Sequence, residues 1–249
     1  MPSFDIESLL HFKPAQYQCE KCLALMQNVP RGFKDEPLVC SICQVRYEPT
    51  DAYRKWDLGK YLKDKGHHIP LDNLVEHSRS LATIAVRVRK GEAEYPPLRA
   101  LFQALNNAKH FVHFTTYGIS HLLIGTLKMT SQRVPVRGIV SNVDATALAE
   151  LAEFKEEAPA FQVKTYGTES SWSDMPHQKL VVIDGLLAFK GSANLTLSAW
   201  RKSAKGRDLL EVATDVEEVI GLHNKFFSPL WGELSKLGEA IEMVEDIPF

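Results

Sequence analysis

The 249-residue chain predicts an α/β protein: an α/β sandwich around a mixed sheet, with a small cysteine-built module at its N-terminal end. Three observations carry that expectation. Past residue 96, short β-rich runs alternate with stretches of helical periodicity, the order of an α/β layer structure. Two apolar runs near residue 185 are joined by Asp184-Gly185, a strong hairpin signal. All four cysteines stand in the first 50 residues, in two Cys-x-x-Cys pairs.

Residues 1–50 form the N-terminal module. Cys19-Glu-Lys-Cys22 and Cys40-Ser-Ile-Cys43 are separated by seventeen residues. Two such knuckles make a tetrahedral thiolate cage for zinc, and QYQC and LVC read as the short strands of a zinc ribbon. A redox pair or two disulfides would leave the paired knuckles unexplained. Four thiolates leave no open position for water, so the zinc is expected to be structural. So small a module buries little core, and metal binding of roughly 10 kcal/mol or more would supply much of its folding energy. The remainder of the chain is expected to fold on a core of its own.

Residues 51–95 read as a mixed connector with helices around Arg54–Lys63 and Asn73–Ser80. His67-His68 lies between Gly66 and Pro70, which favours an exposed turn over a metal site. Residues 96–249 form the main domain. Pro96-Pro97 opens it, and Leu98, Leu101, Phe102 and Leu105 mark a helix face. A strand follows over His110–Tyr117. Ile119, Leu122, Leu123 and Leu127 mark the next helix, and Val134–Ser141 the next strand. Leu148 and Leu151 mark a third helix and Phe161–Tyr166 a third strand.

The most informative stretch comes next, HQKLVVIDGLLAFKGSAN, from His177 to Asn194. His177 to Ile183 is β-rich, and side chains alternate along a strand, so His177 and Lys179 share a face. Leu186 to Lys190 returns as the next strand. Gly191 lets the backbone approach a ligand closely, and Ser192 and Asn194 can point the same way. An imidazole, an ammonium, a hydroxyl and an amide on one surface suit a phosphodiester: a nucleophile, a cation for the non-bridging oxygens and two neutral donors.

At these residues the chain resembles the phospholipase D superfamily, whose signature is H-x-K-x4-D followed by G-S-x-N. The resemblance covers roughly the last 150 residues. It implies that His177 attacks phosphorus to form a phosphohistidine, and that Lys179, Ser192 and Asn194 hold the phosphoryl oxygens. It implies that Asp184 serves the site chiefly as a structural anchor. It also implies that no metal takes part in the chemistry. A glutamate after G-S-x-N orients the histidine in this family. Glu211 is the preferred candidate here and Asp208 the alternative, on opposite faces of one strand.

Such a site needs a second histidine to protonate the leaving oxygen. His223-Asn224-Lys225 is the only other H-x-K, but no acid or G-S-x-N follows it, and helical spacing makes it a helix-surface pair. A homodimer placing two copies of His177 across a two-fold axis is the simplest completion. His113 and Tyr117 would approach the site from the strand at 110–117 or pack in the core. Trp172, in the loop before His177, would stack a base or act as a buried anchor.

Composition adds bounds. The chain is 45% hydrophobic and 24% charged with a net charge of −2, which fits a globular protein and does not advertise a polyanionic partner. Its basic residues are clustered, however. Arg87, Arg89 and Lys90 form one group, and Arg201, Lys202, Lys205 and Arg207 form another directly after Asn194. The second group is the candidate substrate-binding set. No apolar run reaches a membrane-spanning length and no signal segment is evident, so a cytoplasmic protein without a membrane partner is expected. The resulting expectation is a metal-independent nuclease acting on nucleic acid, with a phospholipid hydrolase as the first alternative. A binding subunit with little activity is the second. The ribbon would contact nucleic acid or other proteins.

Overall fold

The computed structural model describes residues 12–29, 37–47, 58–70, 74–157, 160–165 and 176–235. Its centre is one six-stranded sheet of order β10-β9-β8-β5-β6-β7. The strands are β5 (Val112–Thr116), β6 (Val136–Val140), β7 (Phe161–Thr165), β8 (Leu180–Ile183), β9 (Leu187–Gly191) and β10 (Leu210–Ala213). β5, β6 and β7 run parallel, whereas β8, β9 and β10 join them antiparallel. The sheet is therefore mixed, as expected from a βαβαβ run followed by a hairpin.

Helices cover both faces. The connector contributes α1 (Leu58–Asp64) and α2 (Leu74–Arg89), and α3 (Pro97–Asn107) starts at the proline pair. The crossovers are α4 (His121–Ser131) and α5 (Ala145–Glu157). Then come α6 (Leu197–Ser203), α7 (Val216–Phe226) and a final helical stretch, α8, over 228–235. Val112, Phe114, Val136, Val181, Ile183, Phe189 and Val212 point to one face and pack with α2 to α6. Their strand neighbours Leu180, Val182, Ala188 and Ala213 point to the other and pack with α7. Period-two alternation thus assigns each strand residue to a layer.

Two expectations about these helices need correction. α2 runs nine residues beyond Ser80, so Arg87 and Arg89 are helical. Arg87 bonds Glu92 at 2.9 Å and stacks on Tyr95, while Arg89 donates to Val212 O. That basic cluster ties the helix to its neighbours. RKSAKGR is also more than a loop: Arg201 and Lys202 end α6, whose N-cap Thr196 accepts from Ala199 N–H.

The β8–β9 turn shows why Asp-Gly stands there. Asp184 and Gly185 both have positive φ, 55° and 69°, as a type I′ turn requires. Leu186 N–H closes it on Ile183 O at 2.9 Å. The Asp184 carboxylate is buried and accepts the backbone N–H groups of Lys109, His110 and Phe111 at 2.8–2.9 Å. His77 Nε2 from α2 lies 2.6 Å away. Asp184 thereby locks the entry to β5 and α2 onto the hairpin.

The cysteine module is two small hairpins. β1 (Tyr17–Gln18) pairs with β2 (Leu25–Met26), and β3 (Leu38–Val39) with β4 (Arg46–Tyr47). Each knuckle repeats the same backbone bonds: Leu23 N–H to Cys19 O and Gln44 N–H to Cys40 O, with Leu23 and Gln44 at positive φ. His67-His68 extends this module, since Tyr17 forms a β-bridge with His68. These histidines are half-buried, so the expected exposed turn is only partly observed.

The module is not a free-standing appendage. Leu23 is buried with Ile139, Phe227 and Trp231, and Leu25 with Phe111, Leu180 and Val182. Asn224 of α7 donates to Leu25 O and accepts from Leu25 N–H, imitating a paired strand. The expected independence of the main domain's core therefore does not hold on this face. The same contact corrects the reading of His223-Asn224-Lys225 as a surface pair. It is helical, but His223 is fully buried and hydrogen-bonded to His113 at 2.8 Å, and Asn224 holds the module.

Candidate active site

The site residues meet where β8 begins and β9 ends. His177, on the segment entering β8, is exposed. Its imidazole lies face to face on the ring of Tyr117, with centroids 4.6 Å apart and planes inclined by 12°. Tyr117 directly follows β5, so the neighbouring strand supplies a flat support for the imidazole. Lys179 Nζ hydrogen-bonds the His177 carbonyl and sits 5.8 Å from the Tyr117 centroid. Gln178 O accepts from Thr115 Oγ1 at 3.2 Å, which pins the H-x-K segment to β5.

The G-S-x-N segment is bound to this segment through backbone. Gly191 N–H donates to Lys179 O. Gly191 has φ 154°, and a Cβ there would lie 2.1 Å from Leu209 O, so no larger residue fits. The close approach lets Ser192 N–H reach Leu209 O at 3.0 Å. Ser192 is exposed; its Oγ accepts from Leu209 N–H at 2.9 Å and donates to Asp208 Oδ1 at 3.4 Å. Asn194 Nδ2 lies beside Gly118, the residue after Tyr117. Asn194 Oδ1 is buried without a hydrogen-bond partner among the described residues. Thr116 Oγ1 takes Leu195 N–H and donates to Gly118 O, which fastens the loop after Asn194 to the end of β5.

Burial draws the Lys179 ammonium down from the ordinary lysine range, because desolvation penalises its charged form. A lysine needed in its charged form loses function as pH rises through its pKa. The alkaline limb of the rate profile should thus fall below the usual lysine value of about 10.4. Lys179→Arg should lower the rate and carry that limb out of the accessible range; an unmoved limb would assign it to another group.

Placement divides the expected set. His177, Lys179, Ser192 and Asn194 gather at one end of the sheet, where β8 begins and β9 ends. Asp184 lies at the opposite end of β8 and does not reach them. Glu211 is also elsewhere. It pairs across the sheet with Lys190, and Lys190 pairs with Leu180, so all three share the α7 face. Its carboxylate lies 3.4 Å from Lys190 Nζ. Asp208, in the bend before β10, meets Ser192. Arg201, Lys202, Lys205 and Arg207 are all exposed on the segment between Asn194 and Asp208. Tyr117 stacks on His177, whereas His113 is buried in the core; nothing in the sequence separated them. Trp172 lies outside the described residues.

The four cysteine sulfurs lie within 4.8 Å of one another. Cys19–Cys43 and Cys22–Cys40 are each 3.7 Å apart. A tetrahedron with zinc–sulfur bonds of about 2.3 Å has edges of about 3.8 Å. Hydrogen bonds from Cys19 and Cys22 draw the Cys40 thiol down, and the bonds to Cys19 and Cys40 push the Cys22 thiol up. A divalent cation would remove that conflict by letting all four ionise. The residues fit a structural zinc.

Among the described residues no helix is long and apolar enough to cross a membrane. A family model described as "Cardiolipin synthase, PLD-like domain" matches residues 101–231, more than half of the chain. No curated protein matches by sequence. Similar solved structures include NucT from Helicobacter pylori, with 18% identity over 58% of this chain and 90% of that one, TM-score 0.41. Nuc from Salmonella typhimurium, titled a phospholipase D family member, has 16% identity over 51% and 81%, TM-score 0.40. TrmBL2, titled an archaeal chromatin protein, has 12% identity over 79% and 76%, TM-score 0.39. With the H-x-K and G-S-x-N segments joined at one end of the sheet inside the matched region, the chain belongs to the phospholipase D superfamily.

Proposed function

We propose that the protein is a metal-independent nuclease that cleaves nucleic acid through a phosphohistidine at His177, in a site completed by a homodimer. The observation that carries this reading is the exposed imidazole of His177, stacked on Tyr117 beside Lys179, Ser192 and Asn194. One ring nitrogen of His177 attacks phosphorus and the P–O bond to the leaving group breaks. The partner's His177 gives its proton to the departing oxygen, then takes a proton from the water that hydrolyses the phosphohistidine. Lys179 and Asn194 Nδ2 stabilise the non-bridging oxygens. Asp208, held by Ser192, takes the orienting part expected of Glu211. Arg201, Lys202, Lys205 and Arg207 hold flanking phosphates, so binding should weaken steeply with salt. Four other described histidines are engaged elsewhere, which favours a second subunit as the source of the acid: His77 with Asp184, His113 with His223, and His121 with Glu150.

A phospholipid hydrolase is the second reading, favoured by the lipid enzyme in the family's description and by exposed Leu122, Met129 and Leu148. Labelled DNA, RNA and phospholipid incubated in EDTA decide between them, with His177→Ala as control. Cleavage of lipid alone would overturn the nuclease reading. An excess of His177→Ala subunits mixed into wild type should poison activity as heterodimers form. A protein that is monomeric by light scattering while fully active would exclude the shared site.

Asp208→Asn should lower kcat on bis(p-nitrophenyl) phosphate by about 10²-fold, the scale of lost orienting partners. Glu211→Gln should leave that rate within a few-fold. The reverse ranking would restore Glu211 to the site.

A further inference from the structure

The His177 imidazole lies on the ring of Tyr117 with centroids 4.6 Å apart and planes inclined by 12°. Lys179 Nζ is 5.8 Å from the same Tyr117 centroid, within the reach of a cation over an aromatic face. We propose that Tyr117 is a positioning residue for phosphoryl transfer. Its ring holds the plane of the His177 imidazole and stabilises the positive charge that the imidazole gains as it attacks phosphorus. This role deepens the reading of His177 as the nucleophile and rests on it.

Both rings are fixed from β5. Tyr117 directly follows that strand, and its carbonyl accepts Asn142 N–H at 2.7 Å. The Thr116 carbonyl before it accepts Ser141 N–H at 3.0 Å. Thr116 Oγ1 donates to Gly118 O at 2.8 Å, which fixes the residue after it. On the other side of the stack, Thr115 Oγ1 holds the carbonyl of Gln178, next to His177. Tyr117 is half-buried and His177 exposed, so the support is firmer than the ring it supports. An exposed histidine otherwise samples several staggered rotamers. A flat neighbour removes those that turn the ring away, and so raises the share of conformers poised to attack.

Charge balance gives the tyrosine ring its second task. The attacking nitrogen spends its lone pair on the N–P bond, and the P–O bond to the leaving group breaks with its electron pair. The other ring nitrogen keeps its hydrogen, so the phosphorylated imidazole is a cation. That charge spreads over the imidazole, directly above the electron-rich face of Tyr117. The neutral imidazole gains less from this face than the cation does. The contact therefore strengthens as the reaction proceeds, which is the condition for lowering its barrier. A carboxylate acts on the edge of an imidazole and Tyr117 acts on its face, so an orienting Asp208 and Tyr117 have separate roles.

The experiment uses bis(p-nitrophenyl) phosphate and reads the rate of the first p-nitrophenolate release, which reports the attack. Tyr117→Leu keeps apolar bulk but removes the π face. It should lower that rate on the order of 10-fold, with KM little changed. Tyr117→Phe should match wild type within a few-fold, because the role belongs to the ring and not to the hydroxyl. Tyr117→fluorophenylalanine, with one, two and three ring fluorines, withdraws electron density at nearly constant shape. The rate should fall with each fluorine while the melting temperature stays level. Equal rates through the fluorine series, or a Tyr117→Leu enzyme as fast as wild type, overturn the proposal. Where Tyr117→Leu melts early, the fluorine series decides. Failure of the nucleophile reading is seen separately, as turnover that survives His177→Ala.

Discussion

Replacing His177 by alanine should abolish phosphodiester cleavage, with a loss on the order of 10⁴-fold or more, while EDTA leaves the wild-type rate essentially intact. The size of the loss follows from the role. A nucleophile that forms a covalent intermediate cannot be replaced by water held in its place, and knockouts of such groups elsewhere reach that scale. The geometry makes the variant informative. His177 is exposed and contributes one ring face to Tyr117, so its removal disturbs no core packing. Circular dichroism and melting should thus match wild type, separating lost chemistry from lost fold. Lys179→Ala should be similarly damaging, because its charge acts on the phosphoryl oxygens from a partly desolvated position. The EDTA arm discriminates mechanism. Activity that vanishes while zinc stays bound to the cysteines would show that a metal does the work assigned here to two imidazoles.

The hairpin and the cysteine knuckles were legible in the sequence because their physics is local. Asp184-Gly185 demands positive φ, and alternation around it puts His177 and Lys179 together. Each Cys-x-x-Cys closes its own turn. What was not legible depends on neighbours far along the chain. Which neighbour Glu211 meets is a matter of register against β9: it lies opposite Lys190, and only the pairing places it there. Tyr117 and His113 lie four residues apart on similar apolar flanks. β5 ends between them, so one reaches the sheet edge and the other is trapped between Phe111 and Phe227. His223 illustrates the same limit. Helical spacing predicted its helix correctly, but its burial comes from packing against Phe111, His113 and Phe227, which no local pattern announces.

Cys40→Ser should destabilise the entire protein, in one cooperative transition, and not merely unfold the first 50 residues. The ribbon's metal cage is packed against the main domain. A Cβ on Gly232 of α8 would lie 3.0 Å from Cys22 Cβ and 3.4 Å from Cys43 Cβ, so helix and knuckles are in direct contact. Next to them Leu23 fills a cluster with Ile139, Phe227 and Trp231, and Leu25 covers Phe111 and Val182. Exposing two leucines of this kind costs about 1.5–3 kcal/mol each. Breaking the paired bonds between Leu25 and Asn224 adds about 1 kcal/mol per bond. Those losses fall on the sheet face that carries β5 and β8, the strands that position Tyr117 and Lys179. Of the binding free energy of a structural zinc, roughly 10 kcal/mol or more, part is therefore spent holding that face closed. A calorimetric scan should show one transition, lowered by well over 10 °C, and loss of stoichiometric zinc. Turnover should fall with the folded fraction, since no cysteine touches the reacting atoms. Two separate transitions, with the upper one at the wild-type temperature and cleavage intact, would return the ribbon to the role of an independent module.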